Sequence, residues 1–190
     1  MAIGIHAAIG WIWASLALVW AAGFPFTRKT VRAQPSGTRL FHIALALLGF
    51  SLLGSTWFGA GWLGQRFMAA SRDAAVAGVG LTVLGCAFAI WARITLGANW
   101  SGRATVKAGH ELITRGPYSL ARHPIYTGLL VACVGTAIAY GEKRCLAGLA
   151  MVVIAFALKI GQEEKLMLET FPQAYARYRQ RVKALIPGVL

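Results

Sequence analysis

Two short segments concentrate the side chains that could do chemistry in this otherwise apolar chain. Residues 115–128 hold two Arg, one His and two Tyr within fourteen positions, directly before another apolar run. The second segment is the adjacent pair Glu163 and Glu164, in a chain with only six acidic residues. Polar groups of this kind are costly at a membrane boundary, so their presence indicates a functional role.

The residue types suggest a ligand with both charge and aromatic character. In this interpretation Arg122 holds a carboxylate or phosphate, and His123 and Tyr126 supply hydrogen bonds or stacking. The Glu163–Glu164 pair suits a cationic or amine-bearing ligand. The structural alternative makes Arg122 a topology charge, His123 and Tyr126 interfacial side chains, and the carboxylates partners of nearby Lys residues. We favour a pocket with one basic and one acidic pole.

The sequence lacks the common motifs for nucleotide binding, serine hydrolysis and metal binding. It contains no P-loop, no GxGxxG after a strand and no GxSxG, and no convergent ligands at metal-binding spacing. Cys86, Cys133 and Cys145 are isolated within or beside apolar runs, so we expect them to be small buried hydrophobes. We therefore predict no metal site.

The elements that must position these residues are apolar helices. The chain is 57% hydrophobic and 13% charged, whereas soluble domains carry roughly 25% charged residues. We expect an all-α fold, a polytopic membrane helical bundle of about five transmembrane helices, from the apolar runs 3–26, 40–64, 74–91, 125–141 and 145–158. The last two runs are shorter than the ~20 residues of a span. They require extension through His123–Pro124 or through residues 159–162.

The basic residues predict the topology. With five spans, fifteen of the nineteen Lys and Arg residues fall on one side of the membrane and four on the other. The positive-inside rule then places the N-terminus outside and the C-terminus and both functional segments in the cytosol, at the plasma membrane in a bacterium. The net charge of +13 is assigned to topology and to membrane lipids, and nucleic acid is not an expected partner.

The chain is predicted to form a single integral membrane domain over residues 1–190, with the first two spans in residues 1–73. Residues 96–122 are the longest polar segment, and such a length usually carries function. The tail from residue 162 to 181 is predicted to form a helix with one apolar and aromatic face. Pro172 is expected to interrupt this helix after Phe171. Oligomeric state is left open.

Eight short motifs occur in an order that resembles the isoprenylcysteine carboxyl methyltransferase family, including its small prokaryotic members. The resemblance covers roughly the second half of the chain, and the first two spans share only hydropathy. The motifs are Leu96-Gly-Ala-Asn-Trp-Ser101, Gly109-His-Glu-Leu-Ile113, Gly116-Pro-Tyr118, Arg122-His-Pro-Ile-Tyr126, Glu163-Glu164, Phe171-Pro172, Tyr175-Ala-Arg-Tyr178 and Leu185-Ile-Pro187.

The resemblance implies S-adenosyl-L-methionine as methyl donor, a C-terminal helical cofactor-binding region on the cytosolic side, and a lipid-side tunnel for the acceptor. Residues 74–190 then form the methyltransferase core. Catalytic roles are expected for His123, Lys159 and Glu163. The residues expected to bind the cofactor are His110, Glu111, Leu112, Ile113, Tyr118, Arg122, His123, Pro124, Ile125, Tyr126, Glu163 and Glu164.

The chemical identity of the methyl acceptor is left open. The family typically carries an Arg four residues before the first Glu, and this chain has Lys159, which keeps the charge but lacks the planar fork that grips a carboxylate. A lipophilic or small apolar acceptor with a carboxylate or thiol is expected, and an amine or quinone-like lipid is an alternative. Other function classes are an NADPH-dependent membrane reductase and a non-enzymatic lipid-binding membrane protein.

Overall fold

The computed structural model describes residues 2–23, 25, 30–33, 39–100, 105–107 and 111–188. Within these ranges the chain forms a bundle of apolar helices, which confirms the predicted fold class. The elements in chain order are α1 (Ala2–Gly23), β1 (Thr30–Ala33), α2 (Arg39–Gly54), α3 (Gly61–Gly64), α4 (Arg72–Leu96), β2 (Thr105–Lys107), α5 (Pro124–Tyr140), α6 (Lys143–Thr170) and α7 (Pro172–Arg181).

Each of the five predicted apolar runs contains a long helix. Among the described residues, three stretches are long and apolar enough to cross a membrane, namely Gly4–Gly23, Arg72–Asn99 and Lys143–Thr170. The helices α2 and α5 are apolar but have only 16 and 17 residues. At 1.5 Å per residue they reach about 25 Å, less than the hydrocarbon thickness of about 30 Å.

The second apolar run does not form one helix, contrary to the prediction. The helix α2 ends at Gly54, and a 3₁₀ turn at Thr56–Phe58 and the single turn α3 follow. The Ser55 hydroxyl accepts a hydrogen bond from the Trp57 amide at 3.2 Å, which caps the new turn. Glycines at 54, 59, 61 and 64 permit these turns, and hydropathy alone does not reveal them.

The helix formed by the fifth apolar run continues beyond the apolar residues. This was expected, because the run alone is shorter than a membrane span. The helix α6 continues past Lys159 to Thr170 over 28 residues, or about 42 Å. It ends before Phe171, and Pro172 starts α7, so the predicted interruption of the tail helix is confirmed. The fourth run is not extended, because α5 begins one residue before it at Pro124, ends one residue earlier at Tyr140 and has 17 residues.

A small antiparallel ribbon was not predicted. Strand β1 pairs with β2, with Arg32 opposite Val106 and Ala33 opposite Thr105. Three or four residues per strand give too short a pattern to recognise within polar loops. The ribbon ties the α1–α2 connection to the α4–α5 connection.

Small residues set the spacing between α4 and α5. A Cβ atom added at Gly85 would lie 2.4 Å from the Ala132 backbone nitrogen, and one at Gly135 would lie 2.5 Å from the Thr82 nitrogen. Such close approach of backbones is typical of membrane helices, where small residues at the interface allow tight packing. Because the two helices are antiparallel, this contact places the end of α4 beside the start of α5.

The helix α1 packs against this pair, and α2 packs mainly against α6. On α2, a Cβ added at Gly49 would lie 2.8 Å from the Gly148 carbonyl oxygen of α6, so these helices also touch closely. The helix α1 packs mainly against α4, and Trp13 donates a hydrogen bond from Nε1 to the Thr136 hydroxyl on α5 at 3.1 Å. Cys86, Cys133 and Cys145 are free and buried, as predicted.

Candidate cofactor site

A cavity of about 290 Å³ lies at the end of the bundle where α5 begins. It has a polar part near the loop before α5 and an apolar part between the helices. The residues that line it come from α1, α2, α4, α5, α6, α7 and the intervening loops; they are Trp20, Phe50, Leu96, Asn99, Trp100, Glu111, Leu112, Ile113, Tyr118, Arg122, His123, Pro124, Ile125, Tyr126, Leu129, Phe156, Lys159, Glu163, Leu166, Met167, Tyr175 and Tyr178.

The loop before α5 is shaped by glycine and proline. Gly116 has a φ of +59°, which favours glycine, and begins a 3₁₀ turn that ends at Ser119. Pro124 takes the first position of α5, where its missing N–H leaves no broken hydrogen bond. The turn buries Tyr118, and the start of α5 directs His123 into the same cavity wall.

Arg93 secures the opposite wall at the end of α4. Its guanidinium donates to the Gly23 carbonyl at 2.9 Å and to the Gly97 carbonyl at 3.0 Å. The same group lies 4.4 Å from the ring centroid of Trp100, a cation–π distance. Arg93 therefore joins the end of α1 to the turn that carries the cavity residues Asn99 and Trp100.

The side chain of Arg122 is bound to the protein itself. Its Nε donates to Oε1 of Glu164 at 2.9 Å, and Nη2 contacts the same oxygen. Its Nη1 donates to the Val182 carbonyl. The Arg122 and Glu164 side chains are 9% and 13% exposed, so this ion pair is largely shielded from water. Arg122 borders the cavity, whereas Glu164 lies behind it and also meets Arg179 at 3.4 Å.

Glu163 is the member of the acidic pair that faces the cavity. Its Oε1 accepts a hydrogen bond from the Tyr126 hydroxyl at 2.8 Å and lies 3.9 Å from Lys159 Nζ. Its Oε2 lies 3.6 Å from His123 Nδ1, while His123 Nε2 lies 3.3 Å from Glu164. One imidazole thus bridges two adjacent carboxylates.

This environment favours the charged form of the imidazole. Burial disfavours the imidazolium, but contacts with Glu163 and Glu164 outweigh burial and raise the pKa of His123 above its ordinary value. The pKa of the Tyr118 hydroxyl is raised by burial and by the nearby Glu163 carboxylate. His123 is therefore suited to hold a proton, and Tyr118 stays neutral.

The C-terminal segment closes one side of the site. The Tyr178 hydroxyl donates a hydrogen bond to the Tyr118 carbonyl. The backbone amides of Arg122 and His123 donate to the carbonyls of Lys183 and Ala184, at 2.8 and 2.9 Å. Residues 183 and 184 therefore lie against the loop before α5, and α7 brings Tyr175 and Tyr178 to the cavity.

Comparison with known proteins agrees with this arrangement. Residues 78–169 match the sequence model of the "Isoprenylcysteine carboxyl methyltransferase (ICMT) family", a stretch that includes α5 and most of α4 and α6. Over this stretch, which is just under half of its length, the chain is similar to the isoprenylcysteine carboxyl methyltransferase family. The family resemblance given by the ordered motifs is thus confirmed.

Two curated relatives show how far the similarity extends. Protein-S-isoprenylcysteine O-methyltransferase B of Arabidopsis thaliana is 32% identical over 115 residues, which cover 59% of this chain and 58% of that protein. The cobalt-zinc-cadmium resistance protein CzcN of Cupriavidus metallidurans is 33% identical over 111 residues, 56% of this chain and 48% of that protein. The chain thus spans about half to three fifths of these relatives' length.

A solved structure shares the fold. It is that of a eukaryotic intramembrane Ras methyltransferase, isoprenylcysteine carboxyl methyltransferase, with a TM-score of 0.53 and 22% sequence identity. The match covers 84% of this chain and 55% of that chain. It extends the fold of the family beyond the segment that the sequence model matches.

Most of the site residues predicted from the family motifs meet at the cavity. Glu111, Leu112, Ile113, Tyr118, Arg122, His123, Pro124, Ile125, Tyr126, Lys159 and Glu163 all line it. Glu164 is set behind the wall, and His110 lies outside the described residues. Their roles in binding or catalysis remain predictions.

Several lining residues were not among the predicted site residues. Asn99, Trp100, Tyr175 and Tyr178 belong to motifs that carried the resemblance, so the signal was present in the sequence. Trp20 and Phe50 come from the first two apolar runs, where the sequence shows only hydropathy. Nothing in a uniformly apolar helix identifies which of its faces meets a cavity.

Proposed function

We propose that the chain is an S-adenosyl-L-methionine-dependent membrane methyltransferase that moves a methyl group to a lipophilic or small apolar acceptor. The observation that carries this proposal is the single cavity in which Glu163, His123 and Lys159 form a charged end beside a wholly apolar end. Relatives named as O-methyltransferases add support, although the chain covers only part of their length.

The charged end fits the amino acid part of the donor. Glu163 offers a carboxylate to an ammonium group, and its position is fixed by Tyr126 and Lys159. The positive charge of Arg122 lies in the adjacent wall and favours a carboxylate there, with its orientation held by Glu164. A zwitterion thus meets a charge of opposite sign at each of its ends.

The aromatic walls fit the base of the donor. Tyr118, Tyr175, Tyr178 and Trp100 present rings to the cavity from three different segments. Rings of this kind stack on purines and exclude water. Because Tyr178 is bound to the Tyr118 carbonyl, at least one of these rings is held in place before any ligand binds.

When bound, the donor supplies an electrophilic methyl group on a sulfonium. The protein positions the acceptor in line and excludes water, which accounts for most of the acceleration in such a displacement. Lys159 lies between the charged end and Phe156 on α6, so we assign it to an anionic acceptor group. A carboxylate acceptor needs no general base. For a thiol or amine acceptor, we assign proton acceptance to Glu163, because His123 already holds a proton between the two carboxylates.

We further propose that the N-terminus lies outside and that the site opens to the cytosol. Loop charges support this orientation, because the loops on the cavity side carry most of the Lys and Arg. Reporter fusions at residues 2 and 188 are expected to report opposite sides. The same side for both would contradict the proposal.

Calorimetry with the purified protein tests the donor. Binding of S-adenosyl-L-methionine is expected for the native chain, with at least a tenfold loss in Glu163→Ala. Glu169→Ala is the matched control, because Glu169 is an exposed carboxylate of the same helix that does not line the cavity. Binding of NADPH instead would favour a reductase, and binding of neither would favour a non-enzymatic lipid-binding protein.

The acceptor is tested separately. Radiolabelled donor is incubated with the purified protein and a panel of lipid extracts, prenylcysteine analogues and small thiols. Label is expected in an apolar or thiol-bearing compound. Donor binding without transfer to any compound would overturn the methyltransferase assignment while leaving the cofactor site intact.

A further inference from the structure

The apolar end of the cavity is closed by four side chains from four different helices. They are Trp20 of α1, Phe50 of α2, Leu129 of α5 and Phe156 of α6. On α5 and α6 these are also the cavity residues farthest from the polar end. These four side chains form the apolar boundary of the cavity.

Aromatic contacts connect α1, α2, α5 and α6 beside this boundary. The Phe50 ring lies 6.4 Å from the Phe156 ring and 5.6 Å from the Trp13 ring, centroid to centroid. The Phe156 ring lies a further 4.8 Å from Tyr126. A row of rings thus crosses the bundle from α1 to α5, with Phe50 near its centre.

The described residues next inward on α2, α5 and α6 are tightly packed. Val152 and Cys133, the next residues inward on α6 and α5, have 0% exposure, and Leu53 on α2 has 2%. The backbones of α2 and α6 touch at Gly49 and Gly148, directly beside Phe50. An apolar group that follows the bundle axis must therefore end at the row.

The depth above the row is small. On α6, Phe156 is seven residues from Glu163 and three from Lys159, or about 10 and 5 Å along the axis. A compound whose reacting group lies beside Lys159 or Glu163 has only this depth for its apolar part. Phe50 has the partly exposed ring that borders this space.

We infer that Phe50 is a specificity-determining residue that limits the apolar part of the methyl acceptor to a short group. This inference rests on the proposed methyltransferase function and deepens it. The acceptor class it names is a compound with an anionic group beside Lys159 and a short apolar group. A long prenyl chain is excluded from the bundle interior by the Phe50 ring.

The test enlarges the cavity at Phe50 and follows acceptor length. Phe50→Ala removes the ring, and Phe50→Leu removes less volume in case the alanine variant folds poorly. Phe41→Ala is the matched control, because Phe41 is on the same helix, is 61% exposed and does not line the cavity. The probes are N-acetyl-S-prenyl-, S-geranyl- and S-farnesyl-cysteine, each measured by thermal shift with saturating donor and by transfer of labelled methyl.

The native chain and Phe41→Ala are expected to prefer the prenyl compound. Phe50→Ala should shift the ratio of kcat/KM towards the geranyl compound by at least tenfold at saturating donor, and Phe50→Leu by less. The inference is overturned if Phe50→Ala keeps the native order, if the native chain prefers farnesyl, or if no compound binds while the donor does. Loss of donor binding in the native chain would instead reject the proposed function.

Discussion

Both Nε and Nη2 of Arg122 contact a single oxygen of Glu164, with the Nε bond at 2.9 Å. The neighbouring Glu163 points into the cavity and contacts neither nitrogen. Adjacent residues on a helix point about 100° apart, so one carboxylate faces the ligand space and the other faces α7. Glu163 therefore lines the cavity, whereas Glu164 holds the cavity residue Arg122 in place.

Glu164→Ala is expected to lower the free energy of unfolding by about 3 kcal/mol, because removal of one partner leaves a nearly buried guanidinium unpaired. Thermal unfolding in detergent measures the effect. Glu169→Ala is the control, since Glu169 is exposed on the same helix. Equal melting temperatures for the two variants would show that the Arg122 contact adds nothing to stability.

Stability is expected to depend on pH through His123. In the folded chain the pKa of His123 lies above its ordinary value of 6.5. Burial lowers this pKa, but the contacts with the Glu163 and Glu164 carboxylates raise it by more. A raised pKa stabilises the fold fully below pH 6.5, and the contribution is lost as pH rises through the raised value. The melting temperature should therefore fall as pH increases through this window.

The variant His123→Gln separates this effect from other titrations. Glutamine keeps hydrogen-bonding capacity but does not titrate, so the fall in melting temperature above pH 6.5 should flatten. Lys159 and Arg122 lie next to the same carboxylates and remain in the variant. A native-like slope in His123→Gln would assign the pH dependence to another group.

The main features of the site were predictable because charged residues are rare in this chain. Arg122, His123 and Glu163 stand out against apolar runs, and their ordered motifs predicted a shared site. The pairing of Arg122 with Glu164 was not predictable, because it depends on the rotation of α6 relative to α5. The sequence likewise contains no signal for the side of α2 on which Phe50 lies.

Helix boundaries were also predictable only where a residue type restricts the backbone. The start of α5 at Pro124 and the break at Pro172 were predictable, because proline restricts the backbone directly. The end of α2 at Gly54 was missed, because glycine permits a turn without requiring one. The β1–β2 ribbon depends on contacts between distant loops and leaves no local pattern.

The α4–α5 contact is expected to tolerate no side chain at Gly85. A methyl group there would lie 2.4 Å from the Ala132 nitrogen, so Gly85→Ala must separate the helices at a cost of about 1–3 kcal/mol. Donor affinity should fall as well, because this contact aligns Trp100 with His123. Calorimetry and thermal unfolding measure the two effects.

Gly80→Ala is the matched control on the same helix. A Cβ at Gly80 meets no atom within 4 Å, so the substitution should be neutral or stabilise α4 by up to about 1 kcal/mol. If both alanine variants unfold at the native temperature, close packing at Gly85 does not limit stability.

The hydrogen bond between Tyr178 and the Tyr118 carbonyl is expected to keep α7 against the cavity. Tyr178→Phe removes only the donor hydroxyl, and loss of one such bond costs about 1 kcal/mol. Because Tyr118 and Tyr178 both line the cavity, donor affinity should fall several-fold. The C-terminal residues after α7 should also become easier to cleave by protease.

Tyr140→Phe provides the control for removal of a phenol. Tyr140 is buried at the other end of α5, stacked on His6 at 4.4 Å, and does not line the cavity. Its variant should keep native donor affinity and native protease resistance at the C-terminus. If Tyr178→Phe matches it in both measurements, α7 is held by the backbone contacts of residues 183 and 184 without help from the Tyr178 hydroxyl.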